Sequence, residues 1–207
     1  QDLRGPKGEL IRIEMFAHGA LCMAVSGKCY LSLHERNASA NRGACNQICR
    51  RAYTVKDREN EIELDIENEY IMSPKDLCTV GFVNKLADAG VRVLKIEGRA
   101  RSAEYVRTVC ECYDEAIRAY LDGSYSAEKI DGWKKRLATV FNRGFWDGYY
   151  LGQRLGEWSE VYGSKATKKK ILLGKVTNYF SNLGVAEFKI ESFDLKVGEE
   201  ILIQGPT

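Results

Sequence analysis

Seven cysteines are the residues in this chain best suited to chemistry, and five of them fall between positions 22 and 78. Cys22 and Cys29 are separated by six residues, Cys45 and Cys49 by three, and Cys78 follows after a longer gap. Thiolates in that number suit soft metals, above all iron–sulfur clusters, whose irons each take a sulfur ligand from protein. An odd number of cysteines cannot all close into intramolecular disulfides. Zinc is the alternative, although its sites usually show tighter Cys-x₂-Cys pairs. Cys110 and Cys112, two apart on a predicted helix, point to different faces and read as packing residues. Cys78, on the apolar side of another predicted helix, also suits a small buried hydrophobe.

A hydrolytic site has less to draw on. The only histidines are His18 and His34. There is no His-Glu-x-x-His, no Gly-x-Ser-x-Gly and no Gly-rich phosphate loop. A dyad of His18 with Cys22 stays open, because spatial neighbours are not legible in a sequence. Seven cations (Lys28, Arg36, Arg42, Arg50, Arg51, Lys56, Arg58) face two anions in the cysteine-rich stretch, in a chain whose net charge is only +2. Such a surplus, Arg50 included, could steer an RNA backbone or hold a small dicarboxylate; a solvated surface is the plainer alternative. Lys95, Glu97 and Arg99 sit where a predicted parallel strand ends. In barrel enzymes that end lines the active site, so these three are expected to line a substrate pocket, with a buried ion pair as the alternative.

The elements that must position these groups follow from the pattern. The chain has 207 residues, 44% hydrophobic and 29% charged, which excludes disordered and collagenous classes. Its longest apolar run, residues 20–25, is far too short to span a bilayer, and no signal-type leader is legible. A cytoplasmic protein is therefore expected. The absence of an initial Met and a strand-like run close to the last residue suggest a piece of something longer. Alternation predicts strands at 10–16 and 61–66, and near-continuous apolar character predicts a buried parallel strand at 91–97. Ser73-Pro74 with Asp76 reads as the start of a helix running to Gly90. Longer helices are predicted over 102–121 and 127–141. The aromatics of 142–163 read mainly as packing core. Residues 171–203 predict three short strands forming a small antiparallel β-barrel or meander. The expected fold is α/β: a partial (β/α)₈ TIM-like barrel over 1–163, with a second domain over 164–207.

The run Glu14-Met-Phe-Ala-His-Gly-Ala-Leu-Cys22-Met-Ala-Val-Ser-Gly-Lys-Cys29-Tyr-Leu-Ser32 resembles the signature of the collagenase-like U-32 peptidase family. Three further blocks agree with it: Asn41-Arg-Gly-Ala-Cys45-Asn-Gln-Ile-Cys49-Arg50, Ser73-Pro-Lys-Asp-Leu-Cys78, and Lys95-Ile-Glu-Gly-Arg99 followed by Glu104-Tyr-Val. The resemblance covers residues 10–120 strongly and the tail more loosely.

That resemblance implies two kinds of activity. Some members carry the peptidase label, whereas others hydroxylate a tRNA wobble uridine, a ribosomal RNA cytidine or ubiquinone precursors. The hydroxylation proteins hold a 4Fe–4S cluster on four cysteines, with prephenate implicated as the oxygen source. Carried over, the ligands are Cys22, Cys29, Cys45 and Cys78, with Cys49 as an alternative fourth. The leading expectation is an iron–sulfur-dependent RNA hydroxylation protein acting on tRNA. A collagenase-like peptidase is the alternative, and a binding module with a structural metal the third. A partial barrel also implies a partner, either the missing half of the same barrel or a second copy.

Overall fold

In a computed structural model of the chain, residues 3–24, 27–56, 59, 63–64 and 70–205 are described. Two compact units emerge, residues 1–168 and 169–207. The first is built on a four-stranded sheet in the order β5-β1-β4-β6, where β1 is Ile13–Gly19, β4 Asp76–Cys78, β5 Val91–Ile96 and β6 Phe145–Trp146. β1 runs parallel to β5, and β4 parallel to β6, but β1 and β4 are antiparallel through His18 opposite Cys78. The result is an open mixed sheet, and these strands do not form an all-parallel barrel. The antiparallel pairing of β1 with β4, His18 opposite Cys78 and Gly19 opposite Leu77, breaks the all-parallel pattern that a (β/α)₈ barrel requires.

Within that stretch lie helix α1 (Tyr30–Arg36), tight turns at Ala40–Arg42 and Ile48–Arg50, and a two-residue ladder of β2 (Val55–Lys56) with β3 (Glu63–Leu64). β3 falls inside the strand expected at 61–66; the rest of that segment lies outside the described residues, as do Asp57 and Arg58 of the basic stretch.

The helix expected from Ser73 is not formed. Asp76–Cys78 is instead a strand with all three residues buried, and helix α2 covers only Val83–Asp88. Flanked by β1 and β6, the 76–80 run is buried on both sides, and continuous burial suits a central strand better than a one-sided helix. The proline, read as a helix start, instead forms an isolated antiparallel bridge with Trp158.

Helix α3 (Ala103–Leu121) and helix α4 (Ala127–Ala138) cover the sheet. On α3 the buried residues are Tyr105, Val109, Cys112, Tyr113, Ala116 and Ala119, at the three- and four-residue steps of one helix face. Cys112 is buried and Cys110 exposed, as their spacing predicts. From α4 come Trp133 and Leu137, and Trp133 stacks on Tyr125 at 5.8 Å. Tyr113 ties the helix to the sheet: its hydroxyl donates to the Ala17 carbonyl at 2.7 Å and accepts from the Thr79 N–H at 2.9 Å. The aromatic segment after α4 is mixed, with Trp146 buried but Tyr149 and Tyr162 exposed.

The second unit is a hairpin of β7 (Gly174–Phe180) and β8 (Val185–Ile190), turned at Gly184 in the left-handed region. A β-barrel is not formed there. The chain turns at Lys196–Glu199 as expected, but residues 201–203 join no ladder among the described residues. No helix among the described residues is long and apolar enough to cross a membrane.

Leu137 is completely buried, whereas Leu121 on α3 is 75% exposed. Leu137→Ala is expected to destabilise the first unit by about 2–5 kcal/mol, and Leu121→Ala by less than about 0.5 kcal/mol. Urea unfolding followed by tryptophan fluorescence checks the contrast. His18, 1% exposed, has its pKa pushed down to about 3, by burial first and by nearby Arg101 second. The unfolded chain therefore binds this proton more readily than the folded one, and stability falls as pH drops from about 6.5 towards 3. His18→Phe is expected to flatten the slope of unfolding free energy between pH 6.5 and 5, a window above the carboxylate range; an unchanged slope would contradict the assignment.

Candidate functional site

The cysteine loop is held in place by arginines that reach it from three directions. Arg50, next to Cys49, donates to the Leu21 carbonyl at 2.7 Å, the Pro74 carbonyl at 2.7 Å and the Ser73 hydroxyl at 3.0 Å. One guanidinium thus fixes the backbone beside Cys22 and the entry to β4 against Cys49. Arg99 donates to the Gly43 carbonyl at 3.0 Å, two residues before Cys45. Arg143 reaches the Gln47 side chain at 3.5 Å, between Cys45 and Cys49, where Gln47 takes a left-handed φ of 51°. A non-glycine residue in that region is uncommon and needs such anchoring.

Four thiols belong to this frame. The Cys49 thiol is pushed up by burial first, drawn down by Arg50, and pushed up again by Cys22, Cys45 and Cys29. All three therefore lie within electrostatic reach of Cys49. Cys29 is the N-cap of α1; its sulfur accepts the Ser32 N–H at 3.4 Å, and hydrogen bonding to Ser32 lowers its pKa. The Cys22 sulfur accepts the Ala24 N–H at 3.4 Å. Cys22 and Cys45 are exposed, and Cys29 and Cys49 half-buried. No group of three or more potential ligands among the described residues converges closely enough to hold a single metal ion.

Cys78 belongs to a different environment. It is 3% exposed in the main core, and its thiol is pushed up to about 11, mainly by burial. Cys22, Cys29, Cys45 and Cys49 are soft donors on the loop, whereas Cys78 is packed into the core. His18 is buried rather than set beside an exposed thiol. His18 sits among Tyr105, Tyr113 and Phe145 with ring centroids 5.5–6.1 Å away. His18 and Cys78 are cross-strand neighbours, yet burial keeps both neutral, the opposite of a thiolate–imidazolium dyad.

The strand-end residues lie close to the loop, with different partners from those expected. Lys95 pairs with Glu14 at 3.4 Å in a largely exposed bridge and lies 5.1 Å from the Phe16 ring centroid, so no buried Lys95–Glu97 pair forms. The Glu97 carboxylate accepts the Arg99 N–H at 2.8 Å. Arg50, expected as a substrate contact, uses its terminal donors on backbone and Ser73. Gly19 ends β1 at a φ of 116°, where a Cβ would meet the Glu97 carbonyl at 2.7 Å; only glycine lets the two strand ends approach.

Sequence reading missed the acid beneath this frame. Asp76 is 1% exposed and receives the Arg143 guanidinium at 3.4 Å and its backbone N–H at 3.2 Å. Burial raises the Asp76 carboxyl, while Arg143, Arg101 and Arg50 lower it. The available signal was one charge leading an otherwise apolar run at 77–83, which fits a paired buried acid better than a helix start.

Known proteins bear on these observations. The family model described as peptidase family U32 matches residues 7–160. A protein from Porphyromonas gingivalis named collagenase is 72% identical over 98% of this chain and 49% of its own length. The Bacillus subtilis tRNA hydroxylation protein P1 is 34% identical over 95% of this chain and 47% of its own. An Escherichia coli 23S rRNA 5-hydroxycytidine synthase is 36% identical over 70% of this chain and 23% of its own. The chain spans about half the length, or less, of these curated relatives. No solved structure matches. With its cysteine loop and strand-end blocks inside the matched region, the chain belongs to peptidase family U32.

Proposed function

We propose that this chain is the cofactor-bearing part of an iron–sulfur-dependent RNA hydroxylation protein, with tRNA as its substrate. The observation that carries the reading is the gathering of Cys22, Cys29, Cys45 and Cys49 on one arginine-framed loop. Relatives named for tRNA and ribosomal RNA hydroxylation support the substrate class. A 4Fe–4S cluster bound there would supply one-electron chemistry. Cys22, Cys29 and Cys45 are three of the ligands. The fourth is Cys49, which already shares the loop, rather than Cys78 in the core.

The protein's own residues have distinct tasks around that centre. Arg50 and Arg99 hold the loop to the strand ends, and the N–H of Ser32 stabilises charge on Cys29. Half-burial of Cys29 and Cys49 limits water at the thiols. Lys95, Glu97 and Arg99 stand at the end of β5, where a substrate entering beside the loop would meet them. Prephenate as the oxygen source, a cytoplasmic location, and completion of the sheet by further chain or a second copy belong to the same reading.

The collagenase-named relative favours a second reading, a collagenase-like peptidase. Zinc, as a structural metal in a binding module, is the third. Against a Cys–His peptidase stands the burial of His18 away from any activated thiol.

Two measurements separate these. After anaerobic reconstitution, Cys29→Ser and Cys49→Ser are expected to lose most absorbance near 400 nm, while Cys78→Ser keeps it. Loss in Cys78→Ser with retention in Cys49→Ser would move the fourth ligand to β4. Mass spectrometry of tRNA nucleosides from cells lacking the full-length protein is expected to show loss of wobble hydroxyuridine, restored by wild type and not by Cys29→Ser. Unchanged nucleosides together with Cys-dependent gelatin hydrolysis would favour the peptidase.

A further inference from the structure

The backbone pairing that anchors the cysteine loop also carries two tyrosines at its end. Pro74 bridges Trp158 in antiparallel fashion. On either side of that bridge the Ser159 N–H donates to the Ser73 carbonyl at 2.7 Å and the Lys75 N–H to the Glu157 carbonyl at 2.9 Å. Tyr70 lies three residues before Ser73 and Tyr162 three after Ser159, so both leave the pairing at the same end. Their ring centroids are 6.5 Å apart with a tilt of 36°, and the Tyr70 carbonyl accepts the Ser73 N–H at 2.9 Å. Arg50 donates to Ser73 and Pro74 in this same pairing. The ring pair and Cys49 therefore hang on one anchor.

The two rings differ in what they bury. Tyr70 is half-buried, whereas Tyr162 is 75% exposed. An aromatic side chain stabilises a fold chiefly through the area it buries, and Tyr162 buries little. Its ring is instead backed by Tyr70 and open to solvent on most of its surface. The loop beside it is rich in uncompensated charge: Lys28, Arg36, Arg42 and Arg51 are all exposed and form no ion pair among the described residues. An open aromatic ring next to free cations is the combination that takes single-stranded nucleic acid, with an unpaired base on the ring and the backbone along the charges.

Building on the RNA reading above, we propose that Tyr162, backed by Tyr70, is a stacking platform for an unpaired base of single-stranded RNA at the rim of the cysteine loop. A base taken onto this ring is separated from its neighbours in the strand, which exposes the edge that a modifying centre must reach. The free cations of the loop favour a polyanion over an uncharged peptide as the occupant.

The test is binding of the chain to a fluorescently labelled, uridine-rich single-stranded RNA of about eight nucleotides, compared with an abasic strand of the same length. Wild type is expected to bind the RNA more tightly than the abasic strand. Tyr162→Ala is expected to weaken RNA binding about fivefold or more, the size of one lost base–aromatic stack, and to leave abasic binding unchanged. Tyr162→Phe keeps the ring and is expected to match wild type. Equal RNA binding by wild type and Tyr162→Ala overturns the platform and leaves the RNA reading standing. Weakening of both strands alike in Tyr162→Ala also overturns it, since the contact is then not with a base. Wild type that binds neither strand, or that binds a gelatin peptide in place of RNA, overturns the platform and the RNA reading together.

Discussion

The buried ion pair of Asp76 with Arg143 is the constraint on which the rest of the structure depends. Its partners come from β4 and from the turn entering β6, so it locks two neighbouring strands at their shared register. Arg143 then extends to Gln47 and the cysteine loop, which links loop conformation to sheet packing. Burial raises the Asp76 carboxyl and lowers the Arg143 guanidinium. Arg50 adds to the lowering of Arg143, while each partner of the pair favours the other's charged form. Removing one partner from such a pair typically costs about 3–5 kcal/mol, because the other is left buried and uncompensated. This gives the pair a specifying role: it fixes where the loop may sit.

From that pin the site follows outward. β1 and β5 run in parallel to a close crossing at Gly19 and Glu97, and the loop between β1 and β4 is drawn across those ends by Arg50 and Arg99. The thiols are therefore presented by a segment with little regular structure of its own. Long loops of this kind in compact domains are commonly functional, and here their order comes from arginine donors on backbone carbonyls. A sulfur-ligated cofactor would add a further set of cross-links to the same segment, coupling its binding to loop order.

How much was legible in the sequence depended on the kind of signal. The 3.6-residue periodicity of α3 and the alternation around β1 locate those elements to within one to three residues of their expected bounds; β5 forms parallel to β1 as its apolar run predicts, but at the sheet edge and mostly unburied. The cysteine spacing showed which residues could share a centre and left Cys49 and Cys78 as rival fourth members, Cys78 also suiting a buried hydrophobe, which is where it lies. That choice depends on long-range packing around His18 and Tyr113. The Ser73-Pro74 helix start failed because a central strand buried on both sides has no period to distinguish it from a buried helix segment. In the tail, alternation at 201–203 was real, but a strand also needs a partner, and pairing is not a local property. Arg143 was missed because an isolated arginine carries no spacing signal.

Whether the thiol loop carries an iron–sulfur cluster decides the proposed function. Anaerobic measurement of iron, acid-labile sulfide and zinc in the purified wild-type chain, with an electron paramagnetic resonance spectrum after dithionite reduction, addresses it without any substrate. About four irons and four sulfides per chain, with a reduced-cluster signal, are expected. About one zinc per chain, or a protein that binds no iron even after reconstitution, would contradict the cluster.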